Sequence, residues 1–107
     1  MNWRKGIVYF DGSNAGTLEE WEEGYRFWYD EQYLNNVDAQ PISLTLGLHT
    51  PKYESPTLFS FFDGLIPEGW LLQIAIDSWK LDRQDRFGIL LRTCRDTIGA
   101  VSVVPVS

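Results

Sequence analysis

The chain has 107 residues, of which 44% are hydrophobic and 15% aromatic, and its formal net charge is -6. That length suits one domain around a single core, that apolar content excludes a disordered chain, and the acidic balance argues against a nucleic-acid or anionic-membrane footprint, which needs clustered cations. One cysteine, Cys94, excludes an internal disulfide framework. With no apolar run of membrane-spanning length and no signal-like apolar stretch near residue 1, the expectation is a soluble cytoplasmic protein.

WRKGIVYF (3–10) is rich in β-branched and aromatic residues and runs into DGSNAG, which reads as a hairpin turn. In the next segment, 17–30, Tyr25, Phe27 and Tyr29 alternate with Arg26, Trp28 and Asp30, the period of a half-buried strand. EQYLNN (31–36) suits a short helical turn. ISLTLGLH (42–49) places Ile42, Leu44, Leu46 and Leu48 on one side, which predicts a strand. TPKYESPT then reads as a polar loop, and Ser55 with Pro56 as the N-cap and first residue of a helix carrying Leu58, Phe61 and Phe62.

Gly64 and Pro67 break that helix. Pro67 and Glu68 suit the first turn of a second one, expected to run to Trp79 or Lys80. A third helix carries Phe87, Leu90 and Leu91 at i, i+3, i+4 spacing, and Gly99 precedes a closing strand, AVSVVPV. The fold class predicted is α+β, a small, mostly antiparallel sheet with two or three short helices in the C-terminal half of one domain, 1–107.

Catalytic chemistry is hard to place on this sequence. His49 is the sole histidine and has no orienting carboxylate beside it. Arg95 beside Cys94 is a feature that lowers a thiol pKa, but a lone cysteine after a helix reads first as filler. Glu19, Glu20, Glu22 and Glu23 crowd around a turn and read as a solvated face rather than an acid–base pair. No phosphate-binding loop or kinase catalytic motif occurs, so no catalytic residue, cofactor, metal or nucleotide binding is expected.

A helical wheel over 70–80 gives the one pointed signal. With Trp70 at zero and about 100° per residue, Leu71, Ala75, Trp79, Leu72 and Ile76 fall in one arc, the expected core face. Lys80, Gln73 and Asp77 form a polar sector. Trp70 lies near that sector with only Ile74 beside it, either folded back on FFDGLI or standing out as an anchor for another protein. The candidate partner-binding residues are therefore Glu68, Gly69, Trp70, Gln73 and Ile74, whereas Trp79 is expected to be core.

Three stretches in order, PISLTLGL (41–48), FFDGLIPEG (61–69) and FGILLRTCRDTIGAVSVVP (87–105), together resemble the N-terminal subdomain of the HipA-type serine/threonine kinase toxins. Gly47 stands where that family often has proline, and Cys94 where it usually has a helix-ending glycine. The nucleotide loop and catalytic residues of those toxins lie in a kinase core with no counterpart here. The resemblance therefore implies a free-standing, HipS-type small subunit of a three-part HipBST-like operon, an antitoxin that binds and inhibits a HipA-like (HipT-type) kinase. It implies a HipB-like DNA-binding protein in the same complex, with no direct contact to nucleic acid or membrane. The alternative is a scaffold that joins kinase and DNA-binding protein without inhibiting.

Overall fold

The computed structural model describes residues 3–97 and 99–106. It contains strands β1 (Lys5–Phe10), β2 (Ser13–Trp21), β3 (Gly24–Tyr29), β4 (Lys52–Ser55) and β5 (Val101–Pro105). Helices α1 (Glu31–Asn35), α2 (Ser60–Asp63), α3 (Gly69–Trp79) and α4 (Arg86–Thr93) complete it. The strands form one antiparallel sheet in the order β4-β3-β2-β1-β5. The architecture is α+β, as the succession of strands, helices and a final strand predicts.

The first hairpin turns on two residues. Asp11 and Gly12 both have positive φ (49° and 83°), the backbone that a two-residue turn needs to match strand twist. Ser13 to Gly16, expected in the turn, instead begin β2, and a register shift at Val8/Tyr9 takes up the mismatch. Glu22 and Glu23 make the second turn. The acidic run is thus not one solvated face: Glu19 is buried and its Oε1 accepts from Arg26 Nε at 2.7 Å. Glu19 in β2 and Arg26 in β3 stand directly opposite each other in the register of the two strands.

One sheet face makes the core. Val8, Leu18, Phe27 and Val103 are fully buried there, beneath Phe62 of α2 and Phe87, Ile89, Leu90 and Leu91 of α4. Phe27 sits at the centre, edge-on to Tyr29 with ring centroids 4.9 Å apart and tilted against Phe62 at 5.6 Å. Such aromatic pairs add roughly 0.5–1.5 kcal/mol beyond the area they bury.

Arg4 fastens α4 to this sheet. Its guanidinium donates to Asp85 at 2.7 and 2.9 Å and also pairs with Glu20. Asp85 is the N-cap of α4 and accepts from the Gly88 N–H at 3.1 Å. The hydrogen bond from Arg4 holds the Asp85 carboxyl below its ordinary range.

Two segments differ from expectation. Residues 42–49 are not a paired strand. Ile42 and Leu46 are buried, but Ser43 bridges back to Leu46, and Leu44 between them is fully exposed. The buried Tyr29 hydroxyl explains the inversion: it accepts from the Ile42 N–H at 3.1 Å and donates to the Leu46 carbonyl. Gly47 thus lies in a braced loop, where its carbonyl accepts from Tyr53 Oη at 2.8 Å. Tyr29→Phe leaves both backbone groups without that partner inside the protein and is expected to cost about 1–3 kcal/mol, measurable by urea denaturation.

The second departure is 52–55, a supposed polar loop, which is edge strand β4. Ser55 ends it, and its Oγ accepts from the Thr57 N–H (3.3 Å) instead of capping a helix. Helix α2 starts later, after Phe59, without a side-chain cap. Cys94 ends α4 with φ −105°, so it meets the absence of glycine by avoiding the left-handed conformation. Ile98 lies outside the described residues.

Candidate docking surface

FFDGLI seals the core: Phe62 and Ile66 are buried, with Phe61 and Leu65 packed against them. The chain then swings outward at Gly69, whose φ of 59° suits glycine, and enters α3. Pro67 and Glu68, expected in the first helical turn, precede the helix, with Glu68 at the N-cap position and making no side-chain cap.

Helix α3 is apolar yet buries a single residue, Ala75. Leu72 and Ile76 are half-buried beside it. Trp70 is 71% exposed, so it does not fold back on FFDGLI, and Ile74, one turn on, is 50% exposed. The wheel errs on two positions. Leu71 is 52% exposed and joins Trp70 and Ile74 on the outer face, and Trp79 is 44% exposed rather than core. A wheel gives the direction of a side chain, whereas coverage depends on how much neighbouring structure stands in that direction. The body reaches only a narrow seam of α3, and Trp79 lies at its last turn, where the Arg92 guanidinium covers one ring face at 5.0 Å.

Glu68, Gly69 and Gln73 are exposed around Trp70. Gln73 is also held within the protein, donating from Nε2 to Asp77 (2.9 Å) and accepting from Arg83. The candidate residues therefore share one end of one helix, with Leu71 as the member the sequence concealed. Its signal was weak, since position 71 lies at the margin of the predicted core arc.

Lys80 ends α3 in the left-handed region, at φ 54° and ψ 44°. A side chain there is strained, and glycine relieves that strain while costing some chain entropy. Lys80→Gly is expected to stabilise the fold by roughly 0.5–1 kcal/mol, read from the denaturation midpoint.

Cys94 is buried, and burial pushes its thiol up in pKa, against the activation that its neighbour Arg95 suggests. Its Sγ lies 3.4 Å from the Leu65 carbonyl and packs α4 against the sealing segment. His49 is exposed beside the braced loop. Among the described residues no group of three or more His, Cys, Asp or Glu is placed to hold a metal, and no helix is long and apolar enough to cross a membrane.

These features define an α+β domain that leaves the apolar face of one helix uncovered. The sequence profile of the family described as HipA N-terminal domain matches residues 6–104. A protein of Haemophilus influenzae, described as uncharacterized, is 33% identical over 100 residues, covering 94% of this chain and 91% of its own. A solved structure described as the N-terminal domain of HipA toxin matches with a TM-score of 0.73 and 28% identity, covering 97% of this chain and 93% of that one. The chain belongs to the HipA N-terminal domain family.

Proposed function

We propose that this protein is a non-enzymatic antitoxin that binds a HipA-like serine/threonine kinase and restrains it. The observation that carries this reading is the exposure of Trp70, with Leu71 and Ile74, on a helix with one buried residue. Large apolar side chains grouped on a surface mark interaction sites, and tryptophan is enriched among residues that dominate binding energy. Family membership supplies the partner class, because the related domain is named as part of a toxin.

In this reading, Trp70 enters a pocket on the kinase, Leu71 and Ile74 extend the apolar contact, and Glu68 and Gln73 form its polar rim. A HipB-like DNA-binding protein completes a three-part complex, and any operator binding runs through that protein. The acidic balance of this chain gives it no cationic footprint of its own for DNA.

Co-expression tests the proposal. A HipA-like kinase that lacks this subdomain, which the proposal requires, is expressed alone, with this protein, and with this protein plus the DNA-binding partner. Growth restored by this protein alone supports the antitoxin. A complex that forms with no rescue of growth, or rescue only with the DNA-binding partner present, favours the scaffold. Absence of any complex with the kinase overturns the proposal.

A further inference from the structure

The C-terminal end of α3 borders a second surface. Trp79, Arg92, Thr93, Arg95, Asp96 and Val104 line a cleft of about 570 Å³ between the ends of α3 and α4 and strand β5. Its composition is unusual for a chain of net charge -6. Arg4, Arg26, Lys52 and Arg86 each have a carboxylate within ion-pair distance. Among the described residues, Arg92 and Arg95 have none, as is also true of Lys5, Lys80 and Arg83; what sets Arg92 and Arg95 apart is that both line one cleft, together with Asp96. The adjoining cleft shares Arg92 and Arg95 and adds Arg4 and Lys80 together with the carboxylates Asp82 and Asp85, of which Asp85 is paired with Arg4.

Arg92 is exposed, with one aromatic contact. Its guanidinium lies over the Trp79 ring at 5.0 Å. A cation–π contact of this kind restrains a guanidinium without using its N–H donors, which stay available to the oxygens of a carboxylate or phosphate. An arginine in the last turn of a helix also offsets the helix dipole, which accounts for Arg92 alone. It does not account for Arg95, beyond the end of α4, or for a tryptophan kept half-exposed beneath the cation. Thr93 contributes no free donor, since its hydroxyl donates to the Ile89 carbonyl at 2.7 Å.

We infer that the Trp79–Arg92–Arg95 cleft is an oxyanion site that receives a carboxylate or phosphate group presented by a protein partner. This rests on the proposed docking reading for the identity of that partner. It adds a second, electrostatic point of attachment on the same helix, about 13 Å along the axis from Trp70 by the helical rise. The apolar face and the cationic cleft then fix orientation as well as affinity, because a partner must present an apolar pocket and an acidic group at that separation.

The test uses the isolated protein, so that its result is independent of kinase binding. The ¹⁵N-labelled chain is titrated with a hexaglutamate peptide and, separately, with a phosphoserine-containing peptide of otherwise neutral sequence. The readout is the indole N–H resonance of Trp79, assigned with Trp79→Phe. A saturable shift of that resonance is expected, weakened by salt and weakened about tenfold or more by Arg92→Gln with Arg95→Gln. Arg95→Gln alone, which removes no hydrogen bond or ion pair among the described residues, is expected to weaken it in the same direction while the amide spectrum stays folded. The peptide that saturates at lower concentration identifies the group as carboxylate or phosphate. No shift with either peptide, or an equal shift in the double variant, overturns the site. Either result leaves the Trp70 surface to be judged by its own assay.

Discussion

Trp70→Ala is expected to leave the melting transition of the isolated protein almost unchanged and to weaken binding to the kinase by ~2 kcal/mol or more, about thirtyfold in Kd. The first half follows from exposure: at 71% the indole has little packing to lose, and surface changes of that kind usually stay within about 0.5 kcal/mol. The second follows from the proposed docking, in which this indole is the largest apolar group presented by α3. Leu71→Ser and Ile74→Ser are expected to move binding in the same direction by smaller steps. Calorimetric titration of purified kinase, alongside thermal melts of each variant, makes the comparison. A Trp70→Ala protein that melts early, or one that is stable and binds at full strength, defeats the anchor.

Phe27→Ala is expected to be the most damaging single change to the fold, costing about 3–5 kcal/mol. Phe27 is fully buried and meets strand and helix neighbours at once through Leu18, Tyr29 and Phe62, so its removal opens a cavity that rigid neighbours on several sides cannot close. A domain of this size has a total stability of roughly 5–15 kcal/mol, which such a loss brings near the threshold. Trp79→Ala serves as the contrast. Its ring is 44% exposed and carries one cation–π contact, so the change is expected to cost only about 1 kcal/mol. Urea denaturation of both variants checks the ordering, and a Trp79→Ala protein as unstable as Phe27→Ala would contradict the packing described for α3.

The contrast between those two residues shows what the sequence makes legible. Alternation over 25–29 identified Phe27 and Tyr29 as inward, and both are buried, because a strand held in mid-sheet keeps its period over its whole length. The spacing of Phe87, Leu90 and Leu91 likewise found the buried face of α4. Alternation over 42–48 misled, because a hydroxyl thirteen residues away in the chain ties Ile42 to Leu46 and turns Leu44 outward. Nothing local in ISLTLGL encodes that tie. The outer face of α3 was half legible: Trp70 and Ile74 stood apart on the wheel, whereas Leu71 and Trp79 needed knowledge of where the body of the domain ends. The Arg92–Arg95 cleft was not legible, because residues from α3, α4 and β5 meet there only after folding.

The pairing of β5 with β1 has a kinetic consequence. Gly6 lies opposite Pro105, almost the full length of the described chain away, whereas the hairpins joining β1, β2 and β3 are local. Short loops close quickly, and non-local pairings come late because their closure entropy is lost before any contact compensates. The three-strand meander therefore forms with the β1 edge open, its backbone N–H and C=O groups available to any passing strand. During synthesis that interval lasts at least until residues 101–105 leave the ribosome. Nascent chains are then most exposed to aggregation and proteolysis through β1, and translation speed over the codons between β3 and β5 becomes a determinant of yield.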